Sequence, residues 1–70
     1  MDIVKTCSEE LTRDQTSCIN LYLLGGFKIL VDKSDELMKT GEFLFISKKY
    51  GEIESFVRLD AIVNFEIVRK

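Results

Sequence analysis

The chain of 70 residues contains no histidine, no proline and no tryptophan, and it has only two cysteines. Without histidine it lacks the side chain that most often titrates near neutral pH, which counts against general acid–base catalysis. Two thiols without an imidazole cannot complete a tetrahedral zinc site. We therefore expect no catalytic residue, no metal and no cofactor, and the sequence indicates a binding protein and not an enzyme.

Long apolar runs are missing as well. No stretch approaches the roughly 18 apolar residues of a membrane-spanning helix, and the N-terminus does not have the pattern of a signal peptide. We therefore expect a cytoplasmic protein without membrane contact. In a reducing compartment Cys7 and Cys18 should stay free and pack as small hydrophobic side chains.

Basic and acidic residues are nearly equal in number, ten and twelve, which gives a net charge of −2. Proteins that coat nucleic acid without sequence preference normally carry a basic face, so this balance argues against that class and leaves a local site open. The length allows a single domain, residues 1–70, with a thin core. Such small domains often gain stability by self-association.

Hydrophobic spacing predicts an N-terminal helix over residues 1–13. Ile3, Val4, Cys7 and Leu11 recur at intervals of three and four, which places them on one face of a helix. Polar residues 12–17 then read as a connection.

From residue 18 onward the pattern alternates with a period of two, as in β-strands. Gly25 and Gly26 predict a two-residue turn, since both positions of a type I′ turn need positive φ. Residues 33–41 read as the longest connection, with room for one helical turn. The phenylalanines at 43, 45, 56 and 65 are predicted to be mostly core residues. The predicted strands are 18–24, 27–32, 42–47, 52–58 and 61–68.

A helix followed by five short antiparallel strands, residues 18–68, fits a strongly bent sheet that closes into a small barrel. The last predicted strand is apolar on both faces, more so than a solvated edge strand should be. A head-to-tail ring, in which each edge strand extends the sheet of a neighbour, would bury it.

Two segments stand out as motifs, residues 21–29 with the sequence LYLLGGFKI and residues 57–62 with the sequence VRLDAI. The first resembles the first strand, turn and second strand of the Hfq family of bacterial Sm-like RNA chaperones, and the second resembles that family's second motif. The family's mid-strand glycine appears as Val31, and the Lys-His pair of its U-selective pore appears as Leu59-Asp60. The resemblance implies an Sm-like, SH3-like barrel that assembles into a homo-oligomeric ring, expected to be a hexamer.

The resemblance also implies a function, which is binding of single-stranded RNA as a chaperone in post-transcriptional regulation. Because the first motif is present and the pore pair is replaced, A-rich RNA should bind better than U-rich RNA. Tyr22 would offer a ring for base stacking, Gly26 would allow close approach to the backbone, and Lys28 would supply charge. The predicted RNA-binding residues are Tyr22, Gly25, Gly26, Phe27, Lys28, Ile29 and Asn64.

A second interpretation remains open from the residues themselves. The negative net charge and the missing Lys-His pair also fit a small SH3-like barrel that binds a protein or a small ligand and not RNA. Mass in solution separates the two hypotheses, because the first requires a ring and the second a monomer or dimer.

Overall fold

The architecture comes from a computed structural model that describes residues 2–48 and 54–70. Within these ranges most residues belong to β-strands, and the α-helix lies at the N-terminus. The prediction of a mostly β domain with an N-terminal helix is confirmed. Most of the predicted turn at 48–51, and the start of the predicted strand 52–58, lie outside the described residues.

Helix α1 (Ile3–Leu11) begins one residue after Asp2, whose carboxylate accepts a hydrogen bond from the backbone N–H of Lys5 at 3.1 Å. This contact satisfies one of the N–H groups that the first turn of any helix leaves unpaired. Val4, Cys7 and Leu11 are the buried positions of the helix. The apolar stripe predicted from their spacing therefore packs against the sheets.

In the described ranges, residues 2–48 and 54–70, six strands and not five follow the helix. They make two antiparallel sheets of three strands, ordered β2-β1-β6 and β3-β4-β5. A single turn of 3₁₀-helix at Leu59–Ala61 makes the corner before the last strand. The strands are β1 (Thr16–Leu23), β2 (Phe27–Asp32), β3 (Glu36–Thr40), β4 (Phe43–Ser47), β5 (Glu54–Arg58) and β6 (Ile62–Arg69).

The additional strand is β3, which lies in the segment predicted to be a connection, so that prediction is wrong. It pairs with β4 through residues 36–40, and Leu37 lies opposite Ile46. Leu37 is half-buried, whereas its neighbours in β3 are exposed. A strand with one inward apolar side chain has almost no alternating signal, which explains why sequence reasoning missed it.

The turn between β2 and β3 is stabilised by Asp35, whose side chain is only 3% exposed. Its carboxylate accepts the backbone N–H of Asp32 at 2.8 Å and pairs with the Lys48 ammonium at 2.5 Å. Lys48 also donates to the carbonyl oxygen of Leu30 at 2.9 Å. Because Lys48 follows β4 and Leu30 lies in β2, this ion pair ties the two sheets together.

The core lies between the inward faces of the two sheets and is closed by α1. Among the phenylalanines predicted to fill it, Phe65 is half-buried and packs against the core, and Phe45 is half-buried. Phe43 and Phe56 are 42% and 64% exposed, so the prediction is wrong for them. The buried core residues are Val4, Cys7, Leu11, Ile19, Leu21, Val31, Leu44, Ile46 and Val57.

The β1–β2 hairpin confirms the glycine turn but not its length. Leu23 pairs with Phe27, which leaves a loop of three residues and not two. Gly25 and Gly26 have φ of 87° and 83°, values that side chains with a Cβ rarely adopt. Both glycines are therefore required by the backbone, whatever else approaches this loop.

The C-terminal strand is joined to the helix by a polar cluster. One guanidinium nitrogen of Arg69 donates to Glu10 Oε2 and to Thr16 Oγ1, both at 2.7 Å. Thr16 is fully buried, and Arg13 approaches the other Glu10 oxygen at 3.4 Å. The hydrogen bond from Arg69, more than any other contact, holds the pKa of the Glu10 carboxyl below its ordinary value.

This cluster makes stability depend on pH in a defined direction. A carboxyl with a depressed folded-state pKa stabilises the fold above its unfolded pKa of about 4.3, and this contribution is lost as pH falls through the folded value. We expect Arg69→Met to lower the melting temperature at neutral pH, and the deficit to shrink near about pH 3. Thermal unfolding followed by circular dichroism at both pH values, with Lys70→Met as control, measures this. An equal deficit at both would contradict it.

Candidate nucleic-acid interface

The predicted RNA-binding residues are positioned by the sheet β2-β1-β6. Its inward face carries the alternating apolar residues of β1, and Tyr22 points to the opposite, outward face. Tyr22 lies directly opposite Lys28 on β2 and opposite Asn64 on β6. Directly opposed residues of neighbouring strands have Cβ atoms about 5 Å apart, so the register brings these three predicted residues together.

A hydrogen bond fixes the Tyr22 ring within this face. Its hydroxyl donates to Glu66 Oε1 on β6, while the ring itself is half-buried. This hydrogen bond is the main reason why the pKa of Tyr22 is raised above its ordinary value, and partial burial adds to it. A neutral, anchored phenol ring with one side toward solvent is a suitable platform for a stacked base.

The other four predicted residues occupy different positions. Gly25 and Gly26 form the exposed tip of the hairpin beside this face. Phe27 is 68% exposed, and its ring lies over Gly25, where an added Cβ would come within 3.1 Å of it. Ile29 is half-buried and packs against the core. Its side chain therefore supports the sheet from the inner side and does not join the outward face.

Sequence reasoning missed three members of the outward face. Glu66 and Leu30 both lie opposite Asn20, and Leu30 is 44% exposed. The side-chain oxygen of Asn20 is buried without a hydrogen-bond partner among the described residues. Each lies two positions along its strand from Tyr22, Lys28 or Asn64, so the period of two places it on the same face. The strand register adds that these three residues are neighbours across the sheet.

The region of the second motif has a different character. Asp60 lies in the exposed corner before β6 and pairs with Arg58 at 2.9 Å, with the two side chains 70% and 60% exposed. Ion pairs this exposed contribute little to stability. Asp60 therefore neutralises the nearest cation, and this corner offers no free positive charge to a phosphate.

A second exposed surface lies on the outward side of the sheet β3-β4-β5. Phe45 lies opposite both Met38 and Phe56, which are 59% and 64% exposed. The rings of Phe45 and Phe56 have centroids 4.8 Å apart and planes tilted by 39°. Phe43, also on this side, lies opposite Arg58. This row is apolar and carries little charge.

Two shallow clefts flank the Asp35 turn. One of about 280 Å³ lies between α1 and β3, and the other of about 430 Å³ lies beside Lys48. The ammonium group of Lys48 is already paired with Asp35, and Lys33 donates to the backbone carbonyl of Arg13. The lysine ammonium groups that line the clefts therefore already form hydrogen bonds within the fold.

Metal and thiol chemistry have no organised site in the described ranges. Among residues 2–48 and 54–70, no three side chains of the types that bind metals are grouped around a common point. Burial, and secondarily Glu10, raises the pKa of the Cys7 thiol, which keeps it protonated and unreactive. Cys18 is half-buried, and both thiols are free. In the same ranges no helix is long and apolar enough to cross a membrane.

The fold and this face define a small, mostly β domain with an anchored tyrosine and a lysine on one exposed sheet surface. Comparisons of the chain with protein-family models, with curated proteins and with solved structures give no match.

Proposed function

We propose that the chain is an Sm-like protein of the cytoplasm that binds single-stranded RNA as a homo-oligomeric ring. The observation that carries this proposal is the convergence of Tyr22, Lys28 and Asn64 on one outward sheet face. Stacking on an exposed aromatic ring is worth about 1–3 kcal/mol per base. Lys28 is exposed and forms no ion pair with another described residue, so its charge remains available for a phosphate.

Strand order supports the Sm-like part of the proposal. If β2 and β3 are counted as one strand interrupted at Asp35, the six strands become five in the continuous order β6-β1-β2/β3-β4-β5. Where two sheets meet at a corner, a strand commonly passes from one sheet to the other through a bend. The interruption replaces the bend that the Hfq family makes at the glycine matching Val31.

Of the four described strands that pair on one side only, two support the ring. Within the described residues β5 pairs only with β4, and β6 pairs only with β1. Unpaired edges bind other strands unless they are protected. Val63 on β6 and Phe56 on β5 are 59% and 64% exposed. Pairing β5 of one subunit with β6 of the next would cover both edges and close a head-to-tail ring.

The RNA-binding proposal is tested by titrating oligo(A) and oligo(U) against the full chain at one stated salt concentration. We expect oligo(A) to bind more tightly, and Tyr22→Ala to weaken that binding by about 10-fold, the lower part of what losing one stacked base costs. Asp60→Ala is the matched control and should not weaken it. Tighter binding of oligo(U), or no binding of either at low salt, would overturn the proposal.

The alternative function is a small barrel that binds a protein. The observation in its favour is the exposed row of Met38, Phe45 and Phe56, which resembles the apolar centre of a protein interface more than a surface for RNA. Mass measured with and without ribonuclease separates the two functions. A ring with co-purifying RNA supports the first, and a monomer or dimer without RNA supports the second.

A further inference from the structure

We propose that the Glu66 carboxylate selects RNA bases that carry an exocyclic amino group and disfavours uracil. This inference rests on the proposed RNA-binding function and assigns a specificity-determining role to a residue outside the predicted site. Glu66 is exposed on β6, and its contact with the Tyr22 hydroxyl places a carboxylate at the edge of the stacking ring.

The carboxylate has capacity left for a ligand. Oε1 accepts the hydrogen bond from Tyr22, and in the described part of the chain Glu66 has neither a basic partner nor a second side-chain donor. An ionised carboxylate only accepts hydrogen bonds and has about four lone-pair positions. Because Glu66 is exposed, its remaining positions can accept hydrogen bonds from a ligand bound beside Tyr22.

The layout of the face gives a bound nucleotide a direction. Tyr22 is on the central strand, with Lys28 on one side of it and the β6 residues Asn64 and Glu66 on the other. A nucleotide stacked on the ring with its phosphate toward Lys28 would point its base edge toward β6. The carboxylate thus meets the base and not the phosphate, which removes the electrostatic objection to an acidic residue in an RNA site.

The chemistry of the base edges then determines which bases fit. Adenine and cytosine each present an amino group, and pairing of a carboxylate with the cytosine N4 amino group is an established recognition mode. Uracil has carbonyl oxygens in place of amino groups, and its N3–H lies between two of them. A carboxylate at that edge repels these oxygens, so uracil should be disfavoured even though its ring is the same size as cytosine.

Oligo(C) and oligo(U) of equal length form the matched test, because the two pyrimidine rings stack over similar areas. We expect the full chain to bind oligo(C) about fivefold or more tightly than oligo(U), as one charge-assisted hydrogen bond at an exposed site allows. Glu66→Gln keeps an acceptor for Tyr22 but adds a donor that uracil can use. In that variant the affinities for oligo(C) and oligo(U) should become equal within about twofold. The Gln amide oxygen can accept from cytosine, and its NH₂ group can donate to uracil.

A second variant separates base selection from a merely structural role. Tyr22→Phe keeps the ring and removes the hydroxyl that contacts Glu66. If Glu66 only positioned Tyr22, Glu66→Gln, which keeps an acceptor for the hydroxyl, would leave the preference unchanged, and Tyr22→Phe, which removes the hydrogen bond, would reduce it. We expect Tyr22→Phe to keep the preference for oligo(C), whereas Glu66→Gln loses it.

The outcomes distinguish this inference from the proposed function. Equal binding of oligo(C) and oligo(U) by the parent chain, with oligo(A) still bound through Tyr22, would overturn the role of Glu66 alone. Retention of the preference in Glu66→Gln would do the same. Failure of every oligonucleotide to bind would overturn both proposals together.

Discussion

Replacing Asp35 with alanine should lower the free energy of unfolding by about 3 kcal/mol. The substitution removes a buried carboxylate that accepts hydrogen bonds from the backbone N–H of Asp32 and from the ammonium group of Lys48. A domain of this length has a total stability of roughly 4–10 kcal/mol, so the loss would be a large part of it. The Lys48 side chain is 32% exposed and can turn toward water, which keeps the expected cost below that of a fully buried pair. Urea unfolding of the parent and the variant measures the difference.

The reasons for the large effect are the two contacts that Asp35 makes at the same time. Its carboxylate satisfies the N–H of Asp32 and neutralises Lys48. Asp35→Asn keeps an acceptor for the N–H and loses only the charge, so we expect about half of the destabilisation. Ser34→Ala is the matched control in the same turn and should change stability by less than about 0.5 kcal/mol. Equal stability of Asp35→Ala and Ser34→Ala would show that the ion pair does not stabilise the turn between β2 and β3.

Much of the fold could be predicted from the chain because its signals are local. The stripe of Val4, Cys7 and Leu11 and the alternation of Ile19 and Leu21 each depend on residues a few positions apart. The helix and β1 were therefore found. Strand β3 was missed because it is stabilised by pairing with β4 and by the Asp35 join, and not by its own hydrophobic pattern. Such tertiary stabilisation leaves little trace in a local sequence window.

The same contrast holds for the candidate interface. Tyr22, Lys28 and the glycines lie within one hairpin, so a local motif was enough to group them. Asn64 lies outside both resembling segments, and the β1–β6 register places it directly opposite Tyr22. Glu66 was missed because it is 44 residues away from Tyr22 along the chain. A contact over that separation depends on the register of strands that no local pattern specifies.

Burial decides which substitution on β6 can test the proposed ring. Phe65 packs against the core, so a lysine there would unfold the subunit whether or not rings form. Val63 is 59% exposed on the same strand and contributes little to the core of one subunit. A charge at position 63 therefore tests the edge and leaves the fold of the monomer intact.

We expect Val63→Lys to convert a ring of about six or more subunits into species close to the monomer mass of 8.1 kDa. Strand pairing between subunits would bury the new ammonium group at every interface of the ring, and an unpaired buried charge costs several kcal/mol each time. The melting temperature should fall with the mass, since small domains depend on association. Leu30→Lys is the matched control, because Leu30 is 44% exposed but lies on β2, at the opposite edge of the sheet from β6 and in a different sheet from β5. Mass measured by light scattering should stay at the parent value in the control.

If Val63→Lys also kept the parent mass and melting temperature, the β6 edge would not be an interface between subunits. A parent chain that was itself monomeric would favour the protein-binding barrel.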